Sequence, residues 1–262
     1  MKRVTFWRWI PRVIGEYLYP ARCIACRERR PMGPTTAYYV TRVDPDGVKR
    51  QCFCADCYFD FVKSCSAICR YCRCEASRCE CVQAVMADAG IRRAYACFFY
   101  DKRRGGSSAA MLLYSLKHCR NRDTVNFSAY LLLSRIRESG IWGGDFSDAV
   151  LTYAPRGRDN VNKYGDHMKM TAQLLSRLLG CEFATVFKNA SRGEQKWRDR
   201  RARAAAARKA ISLRRGADIS GRRVIIIDDV ITSGATLAAC GHVAYEAGAA
   251  DVNVFVLAKT TA

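Results

Sequence analysis

Asp228 and Asp229 stand side by side after an apolar, β-branched run, Val224-Ile225-Ile226-Ile227, and before a turn of small and hydroxylated residues, Thr232-Ser233-Gly234-Ala235-Thr236. The run has the character of a buried strand in a parallel sheet. Leu237 to Ala247 then reads as a helix stopped by Gly248. A strand, a small-residue turn and a helix N-terminus aim backbone N–H groups at a phosphate, and the helix dipole favours its charge. The hydroxyls of Thr232, Ser233 and Thr236 can donate further bonds. Two adjacent carboxylates suit a vicinal pair of sugar hydroxyls, which they accept from together. Phosphate beside a vicinal diol points to a ribose 5-phosphate.

Cysteine is the second residue type whose spacing could do chemistry. The chain has fifteen, twelve of them before residue 100. An odd count and an N-terminus whose apolar stretch is interrupted by Arg8 and Arg12 argue against a disulfide framework behind an export signal. Cys23-x2-Cys26 is answered by Cys54-x2-Cys57, and Cys69-x2-Cys72 by Cys79-x-Cys81. Each short pair offers two thiolates from one turn, so two turns complete a four-sulfur shell, the geometry of structural zinc. Eight ligands make two Zn2+ sites, paired in sequence order or interleaved; the spacing leaves both open. Cys52 or Cys74 could replace a neighbour, Cys65 is spare, and iron–sulfur is the alternative metal chemistry. With every position filled by cysteine, such sites are structural, and in a segment poor in aliphatics the metal supplies much of the folding free energy.

The elements that must position these groups are legible in outline. Tyr95–Tyr100, Ala149–Tyr153, Val224–Ile227 and Val252–Leu257 read as strands. Met111–Lys117, Phe127–Ile136 and Met168–Leu179 read as helices, the last stopped by Gly180, and Ser139–Ser147 as a loop. Alternation of strands with helices predicts an α/β fold with a mainly parallel sheet, whose ligands sit outside the strand carboxyl ends. Asp228-Asp229 and Pro155-Arg156 both occupy such ends. The expected boundary lies near residue 88: residues 1–88 hold an amphipathic N-terminal helix (Met1–Tyr19) and the cysteine-rich module, and 89–262 the α/β domain. At 262 residues and half apolar, the chain is globular, and no run reaches the ~20 apolar residues of a membrane span. The cytoplasm is the expected location.

Charge adds a partner class. The formal net charge is +20, which two four-thiolate zinc sites would lower to about +16. Lys188 to Arg215 holds eleven Lys or Arg against Glu194 and Asp199. A solvated basic face is one reading of this stretch and a polyanion footprint the other. Trp197 is its one aromatic, so phosphate contact fits better than base stacking.

The Val224–Thr236 stretch resembles the phosphoribosyl-pyrophosphate (PRPP) loop of type I phosphoribosyltransferases. The resemblance implies Asp228 and Asp229 on the ribose hydroxyls as catalytic residues, and Thr232, Ser233, Gly234, Ala235 and Thr236 around the 5-phosphate. The whole layout resembles the ComF family of competence-associated proteins, which joins a cysteine-rich zinc module to a type I phosphoribosyltransferase domain. That likeness is carried by Tyr19-Pro20-Ala21-Arg22-Cys23-Ile24-Ala25-Cys26, the Tyr100–Lys117 segment, the Pro155 region and Ala258-Lys259-Thr260. It implies a pyrophosphate-binding turn at Pro155–Arg158, with Arg156, Arg158 and Lys188 as cations, and Mg2+ bound with PRPP. Lys188–Arg198 would be the loop that closes over PRPP. It further implies a role in uptake of single-stranded DNA, beside a helicase. Lys163-Tyr164-Gly165-Asp166-His167 departs from the family's usual Arg-Gly-Phe-Asn-Gln, and Ser233 replaces threonine. No residue is an evident base; His167 is the nearest candidate, against its reading as a helix-surface residue. The alternative function is a PRPP- or nucleotide-binding adaptor without turnover.

Overall fold

The computed structural model describes residues 22–28, 40–43, 49–51, 53–101, 103, 105–118, 122–156, 166–191 and 200–260. The expected helix at Met1–Tyr19 and most of the Lys188–Arg198 loop lie outside the described residues, as do Cys52, Arg158 and Lys163-Tyr164-Gly165.

The first elements are a two-stranded antiparallel ribbon, β1 (Val40–Val43) and β2 (Lys49–Gln51), then helix α1 (Ala55–Cys65) and the short α2 (Ala84–Ala87). From β3 (Ala94–Tyr100) the chain runs through α3 (Ser108–His118), α4 (Arg122–Glu138), β4 (Ala149–Tyr153), α5 (His167–Leu179) and β5 (Glu182–Phe183). Next come β6 (Phe187–Asn189), α6 (Arg200–Ala210) and β7 (Ile211–Leu213), and then β8 (Arg223–Ile231), α7 (Ala235–Glu246) and β9 (Asp251–Thr260). The central sheet has the order β3-β9-β8-β4-β5, with every neighbouring pair parallel. The expected α/β class is what the chain adopts. A separate antiparallel hairpin, β6-β7, borders it.

Alternation along the strands builds two apolar layers. Leu151, Ile225, Ile227, Phe255 and Leu257 face one core with α3, α4 and α5, whereas Val150, Val224, Ile226, Val252, Val254 and Val256 face the other with α7. The first core does not stop at residue 88. Phe53 and Phe61, from the cysteine-rich part, stack at 5.2 Å and meet Phe127 and Phe98 edge-on. The amphipathic α5 begins at Asp166, whose carboxylate accepts from Lys169 N, and ends at Gly180 with φ of 74°. Both ends follow ordinary capping chemistry.

Of the boundaries that differ from expectation, two at the acidic pair have a plain physical reason. β8 continues through the acidic pair to Ile231, because Val230 and Ile231 still pair with Ala258 and Lys259 of the longer β9. α7 starts at Ala235, two residues early, after Gly234 takes φ of 74°.

Candidate functional site

The site is built where β4 and β8 deliver their last residues to the same edge of the sheet. Ala154 N donates to the Ile227 carbonyl at 3.0 Å, which brings the Pro155-Arg156 turn beside Asp228 and Asp229. α3 reaches the same place from the other side with its last turn. Lys117 Nζ stands 3.0 Å from Asp229 Oδ2. His167, the first residue of α5, places Nε2 3.3 Å from that oxygen, and Arg156 Nη2 lies 2.5 Å from His167 Nδ1. A neutral imidazole satisfies both contacts, accepting from Arg156 and donating to Asp229.

The electrostatics of the acidic pair follow from this arrangement. Burial, then the neighbouring charge of Asp229, pushes the Asp228 carboxyl up to about 8. For Asp229 burial pulls the same way, but the His167 hydrogen bond and Lys117 overcome it and hold the carboxyl well below the usual range. Burial lowers His167, against the opposing pull of Asp229. At neutral pH the pair therefore carries one negative charge, on Asp229, with Lys117 as its counter-ion.

The hydroxyl-rich turn follows. Thr232 is exposed, Ser233 and Thr236 are half-buried, and Gly234 and Ala235 are buried. A Cβ at Gly234 would sit 2.7 Å from Met86 Sδ. Residues of the cysteine-rich part thus press directly on the turn. Gln83 is among them, and its buried Oε1 has no hydrogen-bond partner. Lys188 is exposed on β6, whose Asn189 side chain donates to the Pro155 carbonyl at 3.3 Å. The hairpin therefore borders the Pro155 turn.

His167 is not a helix-surface residue: it is 4% exposed and joined to Asp229 and Arg156. Lys117 was not singled out as a site residue from the sequence. A lysine in a helix's last turn is ordinary, and only the path of α3 shows where it points.

The cysteines form two clusters, Cys23/Cys26/Cys54/Cys57 and Cys69/Cys72/Cys79/Cys81, each with its sulfurs within 4.8 Å of one another. Pairing is thus in sequence order, not interleaved. A Zn–S bond of about 2.3 Å sets tetrahedral sulfurs about 3.8 Å apart, and Cys26 Sγ and Cys54 Sγ are separated by 3.7 Å. The donors fit one divalent ion per cluster. Cys74 stays outside the shell, its thiol directed at the Cys72 carbonyl.

The two first turns are built alike. Arg27 N donates to the Cys23 carbonyl and Arg73 N to the Cys69 carbonyl, both at 3.0 Å. Arg27 and Arg73 both take positive φ, at 68° and 61°. Beyond the turns the clusters differ. The second rests on the sheet through two buried cations. Lys259 Nζ donates to the carbonyls of Ala94 and Cys81 and approaches Cys79 Sγ at 3.6 Å. Arg135 donates to the carbonyls of Ala96 and Cys79.

Parts of the chain are similar to known proteins. Residues 170–262 match the phosphoribosyl transferase domain. The chain is 25% identical over 154 residues to the "DNA utilization protein YhgH" of Escherichia coli O157:H7, covering 58% of this chain and 67% of that protein. The Shigella flexneri protein of the same name is 26% identical over 152 residues, 57% of this chain and 66% of its own. Among solved structures, the purine phosphoribosyltransferase of Pyrococcus horikoshii superposes with a TM-score of 0.33 at 22% identity, covering 53% of this chain and 77% of that one. The adenine phosphoribosyltransferase of Saccharomyces cerevisiae gives 0.36 at 17%, covering 53% and 70%. Paired cysteine clusters beside a parallel α/β sheet, with residues 170–262 matching the phosphoribosyl transferase domain, give the two-part layout that the resemblance to the ComF family implies.

Proposed function

We propose that the chain binds Mg2+·PRPP at Asp228, Asp229 and the Thr232–Thr236 turn, in a phosphoribosyltransferase-like protein linked to competence and the uptake of single-stranded DNA. One observation carries this reading: the acidic pair closes β8 directly before the Thr232–Thr236 turn and the start of α7, with Lys117 and His167 both on Asp229. In this reading Asp229 accepts from one ribose hydroxyl, and the protonated Asp228 both accepts and donates. The N–H groups of Ala235, Thr236 and Leu237, which have no acceptor within the helix, face the 5-phosphate with the hydroxyls of Thr232, Ser233 and Thr236. Arg156, Arg158 and Lys188 meet the pyrophosphate, whose charge Mg2+ would share. By the family resemblance, Lys188–Arg198 would be the loop that closes over PRPP and keeps water out. Each cysteine cluster holds Zn2+ as a structural ion. None of the described cysteines is in a disulfide, which suits a reducing compartment such as the cytoplasm. Residues 1–88 then act as a zinc module clamped to the transferase-like part, 89–262.

A second reading, a PRPP-binding adaptor without turnover, is favoured by His167. The one histidine at the acidic pair is committed to Arg156 and Asp229, which leaves no free base there among the described residues. The relatives' printed name, DNA utilization protein, and the basic Lys188–Arg215 stretch support nucleic acid as a partner, with a competence helicase beside it. Binding through that stretch would fall steeply with salt.

Calorimetric titration of Mg2+·PRPP into the zinc-loaded protein tests the site, with the Asp228→Ala, Asp229→Ala double variant as control. Saturable binding lost in the variant supports the reading; absence of binding by the wild type overturns it. Release of pyrophosphate on addition of an acceptor separates enzyme from adaptor.

A further inference from the structure

α3 joins the first cysteine cluster to the acidic pair. At its N-terminus Ser108 N donates to Asp60 Oδ2 at 2.7 Å, and Asp60 belongs to α1, which begins directly after the ligand Cys54 and contains the ligand Cys57. Two turns on, Arg27 Nη2 donates to Ser115 Oγ at 2.8 Å. Arg27 follows the ligand Cys26 and is held with φ of 68° by the turn that presents Cys23 and Cys26. Ser115 is fully buried, with its hydroxyl also bonded to Thr124 of α4 at 3.1 Å. The last turn of α3 then supplies Lys117 to Asp229.

The physical consequence is a short rigid lever. Ser108 to Lys117 spans about 14 Å of α-helix at 1.5 Å per residue. A helix this short does not hold itself: core packing of Leu112, Leu113 and Leu116 holds its body, and Asp60 and Arg27 fix its position along the axis. Arg27 is an αL residue with a side chain, a conformation that costs about 1–2 kcal/mol and persists only where its surroundings fix it. Among those surroundings, a metal at Cys23 and Cys26 would fix the turn that Arg27 closes. A metal shared with Cys54 and Cys57 would fix the start of α1, from which Asp60 caps α3.

We propose that metal occupancy of the Cys23/Cys26/Cys54/Cys57 cluster and PRPP occupancy of the acidic pair are thermodynamically linked through α3, with Arg27 and Asp60 as positioning residues for Lys117. The linkage rests on the PRPP reading of the site. Linkage is reciprocal: whatever factor the metal contributes to PRPP affinity, PRPP returns to metal retention. The second cluster is not on this path through α3, although Gln83 and Met86, which follow its Cys81, border the Gly234 turn. Its matching arginine, Arg73, is exposed, and its anchors, Lys259 and Arg135, lead to the backbone of β3, not to the acidic pair.

The experiment uses the zinc-loaded full chain, as wild type, Arg27→Met, Asp60→Asn and Arg73→Met; the last matches Arg27→Met in charge lost. Without ligand, hydrogen exchange read by mass spectrometry should show α3 amides exchanging about fivefold or more faster in Arg27→Met, with α7 amides unchanged. Mg2+·PRPP titration should show about fivefold or greater loss of affinity in Arg27→Met and Asp60→Asn, and wild-type affinity in Arg73→Met. Mg2+·PRPP should slow alkylation of Cys26 and Cys57 under a zinc-selective chelator by a like factor and leave Cys72 unaffected. Equal affinity in all four proteins, or equal loss in Arg73→Met, overturns the linkage. No binding by the wild type overturns the PRPP reading and the linkage to it. Unchanged α3 exchange in Arg27→Met overturns the anchoring whatever the ligand proves to be.

Discussion

The two cysteine clusters share a first turn and differ in what that turn holds. Both have an arginine in the left-handed region after C-x2-C, bonded to the first cysteine's carbonyl. In the first cluster that arginine crosses to Ser115 and secures a helix that ends at the acidic pair. In the second it faces solvent, and the work of attachment passes to Lys259 and Arg135, buried cations that belong to the sheet and to α4. Buried charge is tolerated only where acceptors surround it, and the carbonyls of Ala94, Ala96, Cys79 and Cys81 provide them. The first cluster reaches Lys117 through α3, whereas the second is fixed to the sheet and, through Gln83 and Met86, borders the Gly234 turn.

Metal removal is the strongest way to break this comparison. A structural zinc site contributes on the order of 10 kcal/mol or more to folding, which matches or exceeds the whole stability of a typical domain. Chelation, or Cys79→Ser at the fully buried ligand of the second cluster, should abolish the cooperative thermal transition. A chelated protein that melts like the loaded one would remove metal from the account. Next in size is Lys259→Met, which strips partners from buried carbonyls and should cost about 3 kcal/mol in urea denaturation. Arg27→Met should cost only about 1 kcal/mol while weakening PRPP affinity. If Lys259→Met is the milder of the two, the contrast between the clusters is wrong.

Gly234→Ala probes the second cluster's side of the PRPP turn. Positive φ and the contact with Met86 Sδ together should cost about 2 kcal/mol and perturb the turn. Met86→Ala in the same chain should relieve the contact and leave the φ penalty.

A further test of the acidic pair is in pH. Asp228 keeps its proton in the folded state up to about 8, whereas the unfolded chain loses it near pH ~4. Between those values the native state binds more protons than the unfolded state, so stability falls as pH rises across that window. Asp228→Asn should flatten the slope between pH 4 and 8. An unchanged slope would mean that Asp228 is ionised throughout.

Most of what the sequence shows clearly is local. The strand Ala149–Tyr153 has the bounds its apolar run suggested. Helix α5 begins one residue before its expected start and ends at the expected glycine, because capping and periodicity act within a few residues. The end of β8 was less legible, since strand length depends on a partner, β9, that lies elsewhere in the chain. The hairpin β6-β7 went unseen because three-residue strands carry no period. Within the site, Asp228, Asp229 and the Thr232–Thr236 turn announce themselves as one contiguous stretch. Lys117 and the burial of His167 do not, because their meaning comes from contacts 112 and 62 residues distant in sequence.

By itself the sequence determined the α/β class, the acidic pair with its hydroxyl turn, and the eight cysteines that gather into two shells. These are matters of residue type and short spacing, which side-chain chemistry and backbone geometry settle locally. Tertiary structure alone decided that the cysteines pair in sequence order and that Arg27 but not Arg73 reaches into the core. It also brought Lys117 and His167 together on Asp229, with Arg156 against His167. Those outcomes depend on how helices and strands pack over the sheet, and packing joins residues whose separation along the chain says nothing of their distance in space.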